Sequence, residues 1–135
     1  MKTFKIILSA FLIMVMFNST GVADEKKVPH GFTVTVEITD FPHSHTTKDA
    51  TLIVRSNDGA FDDVVEYITL YPYVFDNEFE VKIACGQYTG TITATVYFNH
   101  DGCFYQGSSS LQGTFNPNNG YVLPTINSYS IITCF

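Results

Sequence analysis

The sequence predicts an all-β protein, a single antiparallel β-sandwich of about seven strands, and three observations lead to this prediction. Apolar and polar residues alternate with a period of two in several segments, as half-buried strands require. Turn-forming residues separate these segments at short intervals. No convincing helical period follows residue 23. Regularly spaced strands with hairpin-length connections favour a sandwich of immunoglobulin-like or transthyretin-like architecture.

Three segments, residues 32–38, 78–85 and 88–99, show the alternation most clearly. In the first of them, each apolar residue from Phe32 onward is followed by threonine or glutamate until Ile38. Threonine, valine, isoleucine, tyrosine and phenylalanine dominate these segments, and such residues suit a pleated surface. We therefore expect one face of each segment to pack on a core and the other to meet water.

Turn signals set the bounds of the remaining strands. The run Asn57-Asp58-Gly59 is a strong tight-turn signal. Pro42 places residues 41–48 in a loop, and residues 116–120 form another. Pro72 limits pairing in the third strand, so we expect an edge or a bulge there. The predicted strands cover residues 32–38, 50–55, 64–75, 78–85, 88–99, 104–112 and 129–135.

The first 23 residues have the pattern of a secretory signal peptide, which leaves residues 24–135 as the sandwich domain. Lys2 and Lys5 precede a nearly unbroken apolar run over residues 6–17, and Gly21-Val22-Ala23 supplies the small residues of a cleavage site. The run is shorter than the roughly 20 residues that a membrane-spanning helix needs. The sequence therefore predicts a secreted or periplasmic protein with no transmembrane span after cleavage.

Cleavage would make the domain strongly acidic. It removes two of the seven basic residues and none of the thirteen acidic ones, so the net charge becomes −8. A protein that binds nucleic acid needs clustered Lys and Arg to replace counterions on phosphates. The charge therefore argues against nucleic acid and against an anionic membrane surface as partners.

Three cysteines follow the signal segment, and an oxidising compartment favours one disulfide among them. Cys85 and Cys103 flank a predicted 12-residue strand and would lie about 35 Å apart, far beyond the roughly 7 Å Cα limit. That pair is therefore disfavoured. Cys85 shares the apolar face with Val81 and Ile83, which suits a buried free thiol, so we favour Cys103–Cys134 over the alternative Cys85–Cys134.

Two loops carry weak candidates for metal binding. His43 and His45 share one side of an extended segment and are both suitable ligands for a transition metal. Asp58, Asp62 and Asp63 gather the oxygen ligands that Ca²⁺ prefers. Neither loop matches a complete metal motif, and turn formation and surface solvation explain both patterns more simply. No cofactor is predicted.

Catalytic motifs for hydrolases, zinc proteases, phosphate loops or redox pairs do not occur in the sequence, so we do not expect an enzyme. Tyrosines are numerous for a domain of this size. Six of them are candidates for a binding surface, and they are equally candidates for cross-strand partners of threonine. They are Tyr71, Tyr73, Tyr97, Tyr105, Tyr121 and Tyr129.

From residue 49 onward the order of features resembles the YbaY/YscW-type envelope proteins, small β-sandwiches that include secretion pilotins. The resemblance lies in residues 50–55, 77–81 and 88–98, followed by a turn and residues 104–107. It implies an envelope protein without catalytic residues. Members of that group are often lipoproteins, whereas the predicted mature chain here starts at Asp24 and not at the cysteine that lipidation needs.

The sequence therefore predicts an exported, non-catalytic interaction module that binds a protein or cell-surface partner. The alternative is a small-ligand or metal-binding secreted protein that uses the His43/His45 loop or the loop from Asp58 to Asp63.

Overall fold

The computed structural model describes residues 31–72 and 77–135, which form eight β-strands and no helix. The predicted signal peptide lies outside these residues. In the described part of the chain, no helix is long and apolar enough to cross a membrane. The strands are β1 (Phe32–Ile38), β2 (Lys48–Ser56), β3 (Val64–Leu70), β4 (Asn77–Ile83), β5 (Tyr88–His100), β6 (Cys103–Phe115), β7 (Gly120–Val122) and β8 (Ser130–Cys134).

The strands form two sheets, and this confirms the prediction of an all-β sandwich. The smaller sheet has the order β4-β1-β7, and the larger has the order β3-β2-β5-β6-β8. All pairs are antiparallel except β1 with β7, which run parallel. The longest hairpin joins β5 to β6 with no break in register from Tyr88 opposite Phe115 to His100 opposite Cys103.

The hydrophobic core draws on the inward faces of both sheets, as the alternation predicts. Every second side chain of β1 is buried, from Phe32 to Ile38. The rings of Phe32 and Phe115 stack with centroids 5.6 Å apart, so they join the smaller sheet to the larger one. Leu52, Ile92 and further apolar side chains of β2 and β5 also belong to this core. Burial of apolar surface stabilises the folded state by about 25 cal/mol per Å².

The sequence does not predict the short strand β7, because residues 116–120 have only the pattern of a loop. With three residues, β7 shows no periodic pattern that alternation could reveal. Main-chain hydrogen bonds fix it to β1: Thr33 N–H donates to Asn119 O at 3.0 Å, and Leu123 N–H donates to Thr35 O at 3.0 Å.

Two predicted strand ends were wrong by more than two residues. β3 ends at Leu70, before Pro72, whereas the prediction extended it to residue 75; residues 73–75 lie outside the described chain. β6 continues through Gly113 to Phe115, whereas the prediction stopped it at residue 112. The full-length partner strand β5 explains this extension, because its ladder supplies hydrogen bonds to the end of β6.

The Cys103–Cys134 disulfide is confirmed, and it fixes β8 to β6. The two Cα atoms lie 4.0 Å apart, since the residues are direct cross-strand partners. Cys85 is a half-buried free thiol. A structural disulfide of this kind indicates that the chain folds in an oxidising compartment rather than in a reducing cytoplasm.

Residues 123–129 cross the core side of β6 at Gly107. A Cβ atom at Gly107 would lie 2.7 Å from Tyr129 Cδ2 and 2.8 Å from Ile126 Cγ2, so only glycine fits there. The Tyr129 hydroxyl donates to Thr39 O at 2.6 Å, and Ile126 N–H donates to Glu37 O at 2.8 Å. These bonds tie the crossing segment to β1 and to the loop that follows it.

Candidate functional site

The outer face of the larger sheet carries a row of side chains across four strands. Tyr67 of β3 opposes Thr51 of β2, and Thr51 opposes Tyr97 of β5. The Tyr97 ring stacks with Phe104 of β6 at 6.0 Å between centroids and 13° between planes. Because the neighbours Ala50 and Leu52 are buried, alternation directs this row away from the core. We call Thr51, Tyr67, Tyr97 and Phe104 the outer aromatic row.

Tyr67 is the most exposed residue of the row, with 85% of its surface accessible, and Val65 beside it is 45% accessible. Sequence reasoning did not single out Tyr67. The signal was present, since Val65, Tyr67 and Thr69 occupy alternate positions of β3, but both faces of that strand contain apolar residues. The face of β3 that meets the core therefore could not be identified from the pattern alone.

The other tyrosines predicted as binding candidates divide into two groups. Tyr71 lies just beyond β3 and is 56% exposed. Tyr105, Tyr121 and Tyr129 are partly buried against the core, so they contribute packing rather than an open surface. Tyr73 lies outside the described residues.

The loop histidines meet a third histidine that sequence reasoning could not place beside them. The His43 ring stacks on His100 at the end of β5, with 4.0 Å between centroids and 20° between planes, and lies 6.4 Å from the His45 ring. His43 and Asp40 both have positive φ angles, 58° and 53°, which define the tight path of the loop. We call His43, His45 and His100 the histidine cluster; His30 lies outside the described chain.

A buried lysine supports the histidine cluster. Lys48 is 4% exposed, and its Nζ donates to His43 O at 2.7 Å, to Thr46 O at 3.3 Å and to Thr46 Oγ1. Burial lowers the pKa of Lys48, while the nearby Asp101 carboxylate opposes that shift. The lysine therefore fixes the carbonyl groups of His43 and Thr46 in the loop.

His100 has an environment that favours its neutral form. Its side chain is 17% exposed, and Nε2 lies 3.2 Å from an Asp101 carboxylate oxygen. Burial lowers the pKa of His100 most strongly, with His43, Lys48 and His45 adding in the same direction, while Asp101 raises it. Among the described residues, no three His, Cys, Asp or Glu side chains converge in a geometry that would hold a metal ion.

Hydrogen bonds within the protein order the loop from Asp58 to Asp63. Asp58 Oδ1 accepts from Ala60 N–H at 3.2 Å and from the Tyr88 hydroxyl at 3.0 Å. Asp63 pairs with Arg55 at 3.1 Å on the exposed surface, and Asp62 is also exposed. Asp58 and Asp63 thus turn toward different neighbours, and burial together with Asp58 raises the pKa of the Tyr88 hydroxyl.

Cys85 has no environment that would activate it. Its thiol lies 3.3 Å from Gly86 O as a donor, and burial raises its pKa. A thiol with a raised pKa carries little thiolate at neutral pH and is a poor nucleophile.

An open groove of about 460 Å³ lies beside the outer aromatic row, at the end of the sheet that carries the histidine cluster. Lys48, Asp49, Tyr97, Asn99 and Asp101 contribute to its walls. The groove thus combines one aromatic wall with exposed polar groups, and it is open rather than enclosed.

No family model, no curated protein and no solved structure matches this chain.

Proposed function

We propose that this chain is an exported, non-catalytic interaction module of the cell envelope or extracellular space that binds a protein partner through the outer aromatic row. The Cys103–Cys134 disulfide supports folding in an oxidising compartment. The predicted signal peptide and the resemblance to YbaY/YscW-type envelope sandwiches favour the same location.

The exposure of Tyr67 on a regular strand is the observation that carries the proposal. Tyrosine combines a large apolar ring with a hydroxyl and loses little side-chain entropy on binding, so it is enriched where binding energy concentrates. The seven-residue β3–β2 ladder holds Tyr67, and the Tyr97–Phe104 stack extends the same surface. The backbone of the row is therefore fixed before a partner arrives, which reduces the cost of binding.

The charges around the row favour a partner with a basic rim. Asp49 occupies the same outward face, and Asp101 lies at the adjoining groove. With a net charge of −8 after cleavage, the domain attracts cationic surfaces and repels acidic ones. Complementary charge accelerates association and selects among partners more than it adds affinity.

The polar groups most able to act as nucleophiles support a non-catalytic role, because they serve structure. Ser109 Oγ donates to Pro124 O, and Ser110 shares a 2.8 Å hydrogen bond with Thr93. The Cys85 pKa is raised by burial.

Partner capture with two tyrosine variants tests this function. The exported chain is immobilised and exposed to an extract of its own compartment, and the captured protein is then titrated against Tyr67→Ala and Tyr71→Ala. Loss of a central interface tyrosine costs about 2 kcal/mol or more, roughly a 30-fold loss of affinity. Tyr71→Ala is the control, because Tyr71 is also exposed but lies outside the row. Equal binding by both variants would contradict the proposal.

A second candidate is a small-ligand or metal-binding function at the histidine cluster. The stack of His43 on His100, beside the open groove, is the observation that favours it. Calorimetry and thermal melting with Zn²⁺ and Ca²⁺ separate the candidates. Heat of binding that disappears in His100→Gln supports this function, whereas no heat and no thermal shift rejects its metal version.

A further inference from the structure

Among the described residues, the two sheets have four edge strands. Three of them carry charged residues or nearby prolines, which oppose pairing with another chain. Charged residues in a strand, nearby prolines and short length all discourage a second chain from adding to an open edge. β4 exposes three charged residues, β3 turns one carboxylate toward the core side and is followed by a proline, and β7 has only three residues between two prolines. These residues are Glu78, Glu80 and Lys82 in β4, Glu66 and Pro72 at β3, and Pro117 and Pro124 around β7.

The fourth edge strand, β8, is short and contains a bulge, but it carries neither charges nor prolines. The segment Ser130–Cys134 contains no charged residue and no proline, and all five of its residues are exposed. Ile131 and Ile132 are 54% and 48% exposed, although isoleucine is normally buried. The one irregularity is a bulge where β8 pairs with β6, between the partners of Phe104 and Tyr105.

Covalent and hydrogen bonds hold β8 in an extended form. Cys134 is bonded to Cys103, and Phe135 N–H donates to Gly102 O at 2.7 Å, so the strand is secured to the β5–β6 hairpin. A strand that is already extended loses little conformational entropy when another strand pairs with it. The exposed edge of β8 is therefore ready to accept one.

We propose that β8 is a self-association surface, which pairs antiparallel with β8 of a second copy of this chain across a twofold axis. Charge and symmetry together favour a second copy as the occupant. Residues 127–135 contain no charged side chain in an acidic protein, so two copies can meet there without opposing carboxylates. A twofold interface needs a surface that complements itself, and two identical uncharged strands in antiparallel pairing meet that requirement.

This dimer goes beyond the proposed function and leaves its surface free. β8 and β3 are the opposite edges of the larger sheet, so pairing through β8 joins two sheets and keeps both β3 strands outermost. Each dimer would then present two copies of the outer aromatic row. Two linked rows bind a multivalent partner more tightly than either row alone.

Sedimentation velocity of the exported chain between about 5 and 500 µM tests the proposal, because an edge-strand interface below about 1,200 Å² gives weak, reversible association. The wild type is expected to shift from monomer to dimer over this range. Ile132→Lys places a charge at the pairing strand and is expected to remain monomeric. Val122→Lys is the control, since Val122 is 58% exposed on β7, and it is expected to dimerise like the wild type.

Circular dichroism establishes that each variant is folded, and Ile131→Lys replaces Ile132→Lys if the latter is not. A wild type that stays monomeric throughout, or a dimer that survives the lysine substitution in β8, would overturn the proposal. Equal loss of the dimer in Val122→Lys would also contradict it. The Tyr67→Ala capture experiment reports on a different edge, so failure of the dimer and failure of the proposed function are distinguishable.

Discussion

Gly107 provides a sharp test of how the two sheets are joined. Residues 123–129 cross β6 at this position, and the absence of a side chain allows their close approach. We predict that Gly107→Ala destabilises the protein, whereas Gly113→Ala does not. Both glycines lie in β6 at positions six apart, so alternation places them on the same face of the strand.

The structure sets the size of this effect. The new Cβ would lie 2.7 Å from Tyr129 Cδ2, 2.8 Å from Ile126 Cγ2 and 2.9 Å from Ser128 O, whereas ordinary contact begins at 3.4 Å. The crossing segment would have to retreat by about 0.5–0.7 Å, against its hydrogen bonds to β1 and to Thr39. Overpacking of this kind costs about 1–3 kcal/mol.

At Gly113, nothing lies within 4 Å of the position that a Cβ atom would occupy. Alanine there removes conformational freedom from the unfolded chain, so we expect no loss and up to about 1 kcal/mol of added stability.

Urea unfolding of the oxidised protein over residues 24–135 measures both changes as shifts in midpoint at constant slope. For a domain of this size, each kcal/mol also moves the melting temperature by about 4 °C or more. The reasoning is refuted if Gly107→Ala is as stable as the wild type, or if the two alanine variants are equally destabilised.

Four further predictions follow from other parts of the structure. Replacing Cys103 and Cys134 by serine should lower the free energy of unfolding by about 3–4 kcal/mol, because the bridge closes a loop with a sequence separation of 31; urea unfolding measures the loss. His100 has a folded-state pKa below its ordinary value, so protons bind the unfolded state first and stability should fall as the pH drops below about 6.5. Chemical unfolding between pH 5 and 8 should show a weaker fall in His100→Gln. Lys48→Ala should cost about 1–3 kcal/mol in the same assay, since two part-buried hydrogen bonds from a charged donor to loop carbonyls are lost. Mass spectrometry of the exported protein should find Asp24 as its first residue.

The sequence predicted the sheet faces well where one face is wholly apolar. In β1, alternation between Phe32 and Ile38 corresponds residue by residue to the buried positions. Strand length excluded a bridge between Cys85 and Cys103, because β5 separates them, and the apolar face of Cys85 then favoured the Cys103–Cys134 bridge. Both inferences depend on the local geometry of single strands, which can be read from the order of residues.

Long-range neighbours were not accessible in the same way. His43 and His100 stack although 57 positions separate them in the numbering, and no sequence period connects a loop with a distant strand end. The parallel pairing of β7 with β1 depends on main-chain hydrogen bonds, and the pattern of side chains in a sequence does not reveal these bonds. The faces of β3 could not be assigned because Val64 and Val65 are both apolar.

Site-specific photo-crosslinking tests whether the outer aromatic row binds a protein partner. A photoreactive phenylalanine analogue replaces Tyr67 in one version of the protein and Glu80 of β4, on the other sheet, in a second version. The account predicts a discrete crosslinked protein, in the native compartment, from position 67 and none from position 80. No crosslink at position 67, or the same product from both positions, would contradict it.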